Sequence, residues 1–534
     1  MEKKNPYLPV WFAVVLTGGI FVGILLGSRT ENLDLLRSKQ DKLKEVMNYV
    51  EDNYVDTINR KALEEKAING LLGNLDPHSV YISAEEFHDA NDPLLGSFEG
   101  IGVQFRIEND TVAVIIPVAG GPSEKLGIRA GDRIVKVDGK NIAGIKIATT
   151  DVMRKLKGPK GTKVNVSIFR RGVKGLLDFS ITRDVIPTYS LDIAYMAEPG
   201  IGFIRLNNFS ATTHDEFHQS LEKLSGQGMK KLILDLRGNG GGVLKAAIDV
   251  ADEFLGQGKL IVYTLGMHHA KEVSNATSDG LFENGDVVVM VDEGTASAAE
   301  IVSGAIQDQD RGLIVGRRSF GKGLVQEQMD FKDGSALRLT VARYYTPTGR
   351  CIQKPYKDGL DAYNNDFFHR TMNGELEHPD SIHFPDSLRY TTPKGRTVYG
   401  GGGIMPDVFI PVERDSSRLF YTQCLNRGLI YQFAFDYTDR SRAQLAIYDT
   451  PGRFLQGFVV TDAIYSEFMA YAAQKGVKHE GGDLVKSDRY ARAMLKAYIG
   501  RNLLDNDAFF PVLNSIDPGY QKAVELLKSG KAKL

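Results

Sequence analysis

A chain of 534 residues is too long for one hydrophobic core, so roughly three or four domains are expected. It is 42% hydrophobic and 25% charged with a net charge of −2, the composition of ordinary folded protein, without the basic patch or acidic tail of a nucleic-acid binder. Cys351 and Cys424 are its only cysteines, which excludes a disulfide framework or a cysteine-based zinc site and leaves a single bond between them open.

In chain order, the first element is an uncharged run from Asn5 to Ser28, rich in Val, Ile, Leu, Phe and Gly. Roughly 20 apolar residues span a bilayer core, so residues 1–28 read as a transmembrane anchor. Lys3 and Lys4 put its start in the cytoplasm and the rest of the chain on the extracytoplasmic side. The resulting expectation is a single-pass protein of the cytoplasmic (inner) membrane with its catalytic part in the periplasm. A cleaved signal peptide is the rival, but no Ala-x-Ala site follows the run. Gly19, Gly23 and Gly27 recur at the spacing that lets two such helices approach, although glycine is common in membrane helices anyway.

Residues 29–92 form an N-terminal segment in which Leu33 to Leu75 reads as helical, with apolar positions at Leu43, Val46, Met47 and Val50 and again at Leu63, Ala67, Ile68 and Leu71. Turn chemistry at Leu75-Asp76-Pro77-His78-Ser79 ends the helical stretch. Residues 93–184 alternate as short strands with hairpin turns at Asp138-Gly139 and Arg171-Gly172, a β-rich module. Across residues 185–413 continuous Val/Ile/Leu strands alternate with helices, which predicts an α/β core around a sheet buried on both faces. A polar insertion, 354–398, interrupts this core, and residues 414–534 form a mostly helical extension.

Three segments could carry chemistry. In Gly294-Thr295-Ala296-Ser297-Ala298-Ala299-Glu300 an apolar strand delivers Ser297 to the start of a helix, where backbone N–H groups and the helix dipole stabilise negative charge. The Ala298 N–H is placed to donate to an oxyanion. Ser297-x-x-Glu300 is equally a capping box, in which Ser297 merely closes its own helix. Arg237-Gly238-Asn239-Gly240-Gly241-Gly242 lacks phosphate-loop and dinucleotide spacing, and reads as a flexible ribbon whose Gly240 or Gly241 N–H could be a second oxyanion donor. In Ser319-Phe320-Gly321-Lys322-Gly323-Leu324-Val325-Gln326, Lys322 is the candidate base for Ser297, and Gln326 shares its face if the segment is extended. A free lysine, with a pKa of ~10.4, leaves only about one amine in a few thousand neutral at pH 7, so Lys322 must be desolvated to act. Otherwise it is one more surface lysine in a glycine turn.

Taken together and in order, Leu75–Ser79, Phe98–Gln104, Leu234–Asn239, Thr295–Glu300, Phe320–Gln326 and Tyr345-Thr346-Pro347-Thr348-Gly349-Arg350 resemble the C-terminal processing (tail-specific) proteases. The resemblance covers Leu33 to Pro411 and implies a ClpP/crotonase-like protease core with an inserted PDZ domain. It implies a serine endopeptidase with a Ser297–Lys322 dyad supported by Gln326, working through an acyl-enzyme without metal or organic cofactor. Glu99-Gly100-Ile101-Gly102-Val103 resembles the PDZ carboxylate-binding loop, so Gly100, Ile101, Gly102 and Val103 would hold the C-termini of protein or peptide substrates. In the family this module also gates the protease. Cys351 departs from the family's serine, and the insertion and the extension fall outside the resemblance; they are candidates for an adaptor, oligomerisation or substrate-guiding surface.

Two other readings compete: a catalytically inactive PDZ scaffold, and a crotonase-type acyl-CoA enzyme using a similar oxyanion loop. A metalloprotease reading would rest on His214-Asp215-Glu216-Phe217-His218, but zincins need Glu directly after the first His. That segment is expected to be the wet face of an amphipathic helix.

Overall fold

A computed structural model describes residues 8–30, 42–413, 419–478 and 484–533, which divide into two compact units, Met1–Asn74 and Leu75–Leu534. The first unit holds the helices Leu8–Thr30, Lys42–Asn53 and Arg60–Leu72, the last capped by Asn59, whose side chain accepts the Ala62 N–H at 3.1 Å. The membrane expectation needs correction. The apolar run is helical, but no helix among the described residues is long and apolar enough to cross a membrane. The expected single-pass location in the inner membrane is therefore not supported. Lys3 and Lys4, the expected helix start at Leu33 and the junction at 414–418 lie outside the described residues.

The second unit is built on a six-stranded sheet. Leu191–Glu198 runs antiparallel to Ile201–Leu206, and Lys231–Asp235, Asp286–Val291, Leu313–Gly316 and Val408–Phe409 then add in parallel. Its strands split their side chains between two cores, as period-two alternation requires. Leu232, Leu234, Val287 and Val289 face the helices Thr213–Gly226, Leu244–Asp252 and Ala298–Asp308. Ile233, Val288, Met290 and Phe203 pack instead against Phe433, Phe468, Phe510 and Leu527 of the C-terminal extension. The extension therefore covers one whole face of the sheet, and each large apolar side chain it buries contributes about 1.5–3 kcal/mol. Its contact continues as ion pairs: Arg237, held by Asp235, also binds Asp517 Oδ2 at 2.6 Å.

An antiparallel sheet carries the rest of the site. Ala336–Tyr345 pairs with Val80–Ile82, Leu260–Leu265 and Leu324–Asp330. The PDZ module is an antiparallel sheet running from Val103–Glu108 to Leu176–Thr182, with the helices Pro122–Lys125 and Thr149–Leu156. Ser97–Gly100 pairs with Asp184–Pro187 where the chain enters and leaves it. Cys351 and Cys424 are both free thiols.

The Tyr345–Arg350 segment is fixed by a fully buried ion pair at the end of the Ser297 helix. Arg350 donates to Asp308 at 2.6 Å, to Gln307 at 2.8 Å and to the Tyr399 carbonyl at 2.9 Å. Both members of the pair are 0% exposed. Replacing Arg350 with Ala strands the Asp308 carboxylate, and a loss of about 3–5 kcal/mol is expected, read as a drop in the urea midpoint.

Candidate active site

Ser297 stands between strand Asp286–Val291 and helix Ala298–Asp308 with φ 55° and ψ −116°, a conformation L-residues rarely adopt. This is the sharp strand-to-helix turn that lifts a hydroxyl out of the backbone. The helix start is closed by a capping box of Ser297 and Glu300, in which Glu300 accepts the Ser297 N–H at 2.8 Å. The cap and the presented hydroxyl thus coexist at one residue.

The Glu300 carboxylate is fully buried and does more than cap. The oxygen that accepts the Ser297 N–H also accepts the Lys322 N–H at 2.9 Å, and the other accepts the Gly321 N–H at 2.8 Å and the Ser319 hydroxyl. One side chain therefore holds the backbones of both dyad candidates. Burial raises its pKa, against the pull of these four donors.

Ser297, Lys322, Gln326, Gly240, Gly241 and Ala298 all open onto one cavity of about 570 Å³. The Lys322 amine has no hydrogen-bond or ion-pair partner among the described residues. Its pKa is lowered, first by burial and then by the Arg338 guanidinium, while Glu300 and Asp76 oppose the shift. Gln326 lies in strand Leu324–Asp330, but its amide donates to Thr340 Oγ1 at 3.1 Å rather than to the lysine. Thr340 in turn donates to Asp76 at 3.0 Å.

The two glycines differ. Gly241, at φ +92°, donates its N–H to Asn239 Oδ1 at 2.9 Å. A Cβ there would lie 2.7 Å from Ser297 Cβ and 2.9 Å from the Ala298 nitrogen. The N–H groups of Gly240 and Ala298 have no acceptor among the described residues. Asn239 also ties the loop to strand Ile201–Leu206 through the Leu206 carbonyl and accepts the Ala296 N–H at 2.9 Å.

Several neighbours were not singled out as chemistry from the sequence. The turn at Asp76–Ser79 reaches the lysine: His78 bonds Tyr363 of the insertion at 2.8 Å, and its pKa falls to about 4 through burial and then the Lys322 charge. The imidazole is therefore neutral at pH 7. The insertion also grips the lysine loop, since Arg370 donates to the Ser319 carbonyl at 3.1 Å and pairs with Glu375, which binds Arg318. A polar pair two residues apart on one strand face, Arg338 and Thr340, was the signal available in the sequence.

In the PDZ module, Ile101, Gly102 and Val103 line a second cavity of about 380 Å³ with Phe105, Met153 and Leu156. Gly100 does not; it pairs with Asp184 in the entry strand. Helix Phe87–Leu95 borders both cavities: Asp89 and Asp92 face the PDZ groove, Asn91 and Leu94 the one lined by Ser297. Lys157, just after the PDZ helix, binds Asp89 at 2.9 Å and Asp92 at 3.0 Å.

Comparison with known proteins gives matches along most of the chain. Residues 200–361 match peptidase family S41, 117–170 a PDZ domain, 26–86 the activating protease CtpB N-terminal domain, and 420–505 a family of unknown function (DUF8443). A carboxy-terminal-processing protease of Bartonella bacilliformis is 37% identical over 350 residues, covering 64% of this chain and 80% of that one. The carboxy-terminal processing protease CtpA of Bacillus subtilis is 36% identical over 318 residues, covering 59% and 67%. Among solved structures, a photosystem II D1 C-terminal processing protease is 28% identical with a TM-score of 0.37, covering 70% of this chain and 87% of that one.

Proposed function

The chain belongs to peptidase family S41 and is a serine-type carboxy-terminal processing protease with a PDZ domain, and from that premise we propose that Ser297 is its nucleophile and Lys322 its general base. The observation that carries this reading is the shared cavity, which a presented hydroxyl and an unpaired, desolvated amine line together with free backbone N–H groups. Lys322 takes the Ser297 proton as the oxygen attacks the peptide carbonyl. The N–H groups of Ala298 and Gly240 receive the oxyanion, and the Gly241 backbone approaches closely enough to shape that space. Lys322 then returns its proton to the leaving amine, giving an acyl-enzyme on Ser297. Water, deprotonated by the same amine, hydrolyses the acyl-enzyme and releases a new C-terminus. Gln326 orients the strand around the lysine through Thr340 and Asp76.

Substrates are captured by their C-termini. The tail carboxylate docks on the N–H groups of Ile101–Val103, and its last apolar side chain enters the pocket of Phe105, Met153 and Leu156. Helix Phe87–Leu95, bordering both cavities, is the route by which an occupied groove would alter the catalytic one. An unstructured protein ending in apolar residues is expected to be cleaved about tenfold faster with a free C-terminus than with a C-terminal amide, because the amide removes the charge that the loop binds. Equal rates for the two would exclude tail capture.

A further inference from the structure

Away from the catalytic cavity, two imidazoles converge on one carboxylate. His214 and His218 stand one turn apart on helix Thr213–Gly226, and Glu253 closes helix Leu244–Asp252. His214 Nε2 lies 2.9 Å and His218 Nδ1 2.6 Å from the same Glu253 oxygen. The other Glu253 oxygen accepts the Leu281 N–H at 2.8 Å. The Glu253 side chain is 3% exposed, whereas the imidazoles are 35% and 34% exposed. The ligand atoms of the three residues all lie within 4.8 Å of one another. The segment lacks the Glu that directly follows the first His in a His-Glu-x-x-His motif, and the third candidate ligand comes from another helix.

We propose that His214, His218 and Glu253 bind a divalent transition-metal ion of the zinc type, which staples the two helices together. Two imidazoles and a carboxylate form the borderline nitrogen-and-oxygen donor set that zinc favours, and imidazoles at i and i+4 present their nitrogens on one helix face. The Leu281 N–H holds the carboxylate in place, the orienting contact that metal ligands usually have. Asp215 and Asp249 act on His214, and Glu222 lies 3.9 Å from His218 Nε2, so the surrounding field attracts a cation. On binding, each neutral imidazole carries its proton on the other ring nitrogen, and the half-exposed rings leave a position open for water. The catalytic cavity is lined by Leu244, at the opposite end of the helix from Glu253, about 13 Å along its axis. The ion is therefore structural and takes no part in hydrolysis.

The test uses the full chain, stripped with a chelator, desalted and titrated with zinc chloride, or with cobalt(II) for its visible absorption. One zinc per chain and a zinc-dependent rise in melting temperature are expected. His214→Ala and His218→Ala, whose side chains are partly exposed, are expected to keep the fold and to weaken binding at least about tenfold. Glu253→Gln should do the same, but it alters a buried group, so the histidine variants decide. Uptake well below one zinc per chain, or uptake unchanged in both histidine variants, would overturn the proposal and leave the three residues as a hydrogen-bonded clamp.

Discussion

Ser297→Ala and Lys322→Ala are each expected to lower kcat/KM by about a thousandfold or more on a protein substrate, because members of a catalytic unit fail together when one is removed. Lys322→Arg should be as inactive as Lys322→Ala, since a guanidinium keeps its charge and cannot accept the Ser297 proton. The parent should show a rate that climbs with pH as the Lys322 amine loses its proton. Burial and Arg338 bring that limb below the ordinary lysine range, since both disfavour the charged amine. Arg338→Ala removes one of these two causes, so the lysine holds its proton to higher pH. The limb should then move to higher pH with a lower rate at neutrality and an unchanged plateau. His78 contributes no limb near pH 7, because its pKa of about 4 keeps it neutral there. Rates measured from pH 5 to 10 on one substrate would check all four variants. An unshifted limb in Arg338→Ala, or substantial cleavage by Lys322→Ala, would assign the base elsewhere.

The parts legible in the sequence were those written as local pattern. Val287–Val291 and Lys231–Leu236 were visible as continuous apolar strands, and the structure confirms the reason, since their alternate residues enter two different cores. Asp138-Gly139 was legible as a turn because both residues take positive φ, at 46° and 75°. Helix Phe87–Leu95 was missed: it is short, contains Pro93 and buries none of its residues, so it has no apolar period to detect. Strand Leu191–Glu198 was missed because most of its residues are only partly buried. The site was half legible. Ser297, Lys322 and the glycine loop stood out by residue type, but Glu300 read only as a cap. Its second role depends on Lys322 and Gly321 folding back onto it, a contact between separate segments that no spacing rule encodes. The extension was opaque for the same reason. Its apolar residues could be counted, but that they close the second face of the catalytic sheet follows only from the packing.

The glycine loop yields the sharpest structural test, because two adjacent glycines are predicted to behave oppositely. Gly240→Ala should retain nearly full activity: a Cβ there meets nothing within 4 Å, and an added methyl leaves the backbone N–H in place. Gly241→Ala should lose about a hundredfold or more in kcat, comparable to losing an oxyanion donor. Its new Cβ would stand 2.7 Å from the Ala296 carbonyl oxygen, 2.7 Å from Ser297 Cβ and 2.9 Å from the Ala298 nitrogen. None of these can yield cheaply, since all belong to the strained turn that presents Ser297. The left-handed φ of +92° adds a backbone cost that alanine, unlike glycine, must bear. Because the crowding falls on the hydroxyl and the oxyanion space rather than on the PDZ groove, KM should change much less than kcat. Steady-state kinetics on both variants, with melting temperatures to confirm folding, would separate the outcomes. Equal activity in the two would mean that the space between Gly241 and Ala298 is not where the oxyanion forms.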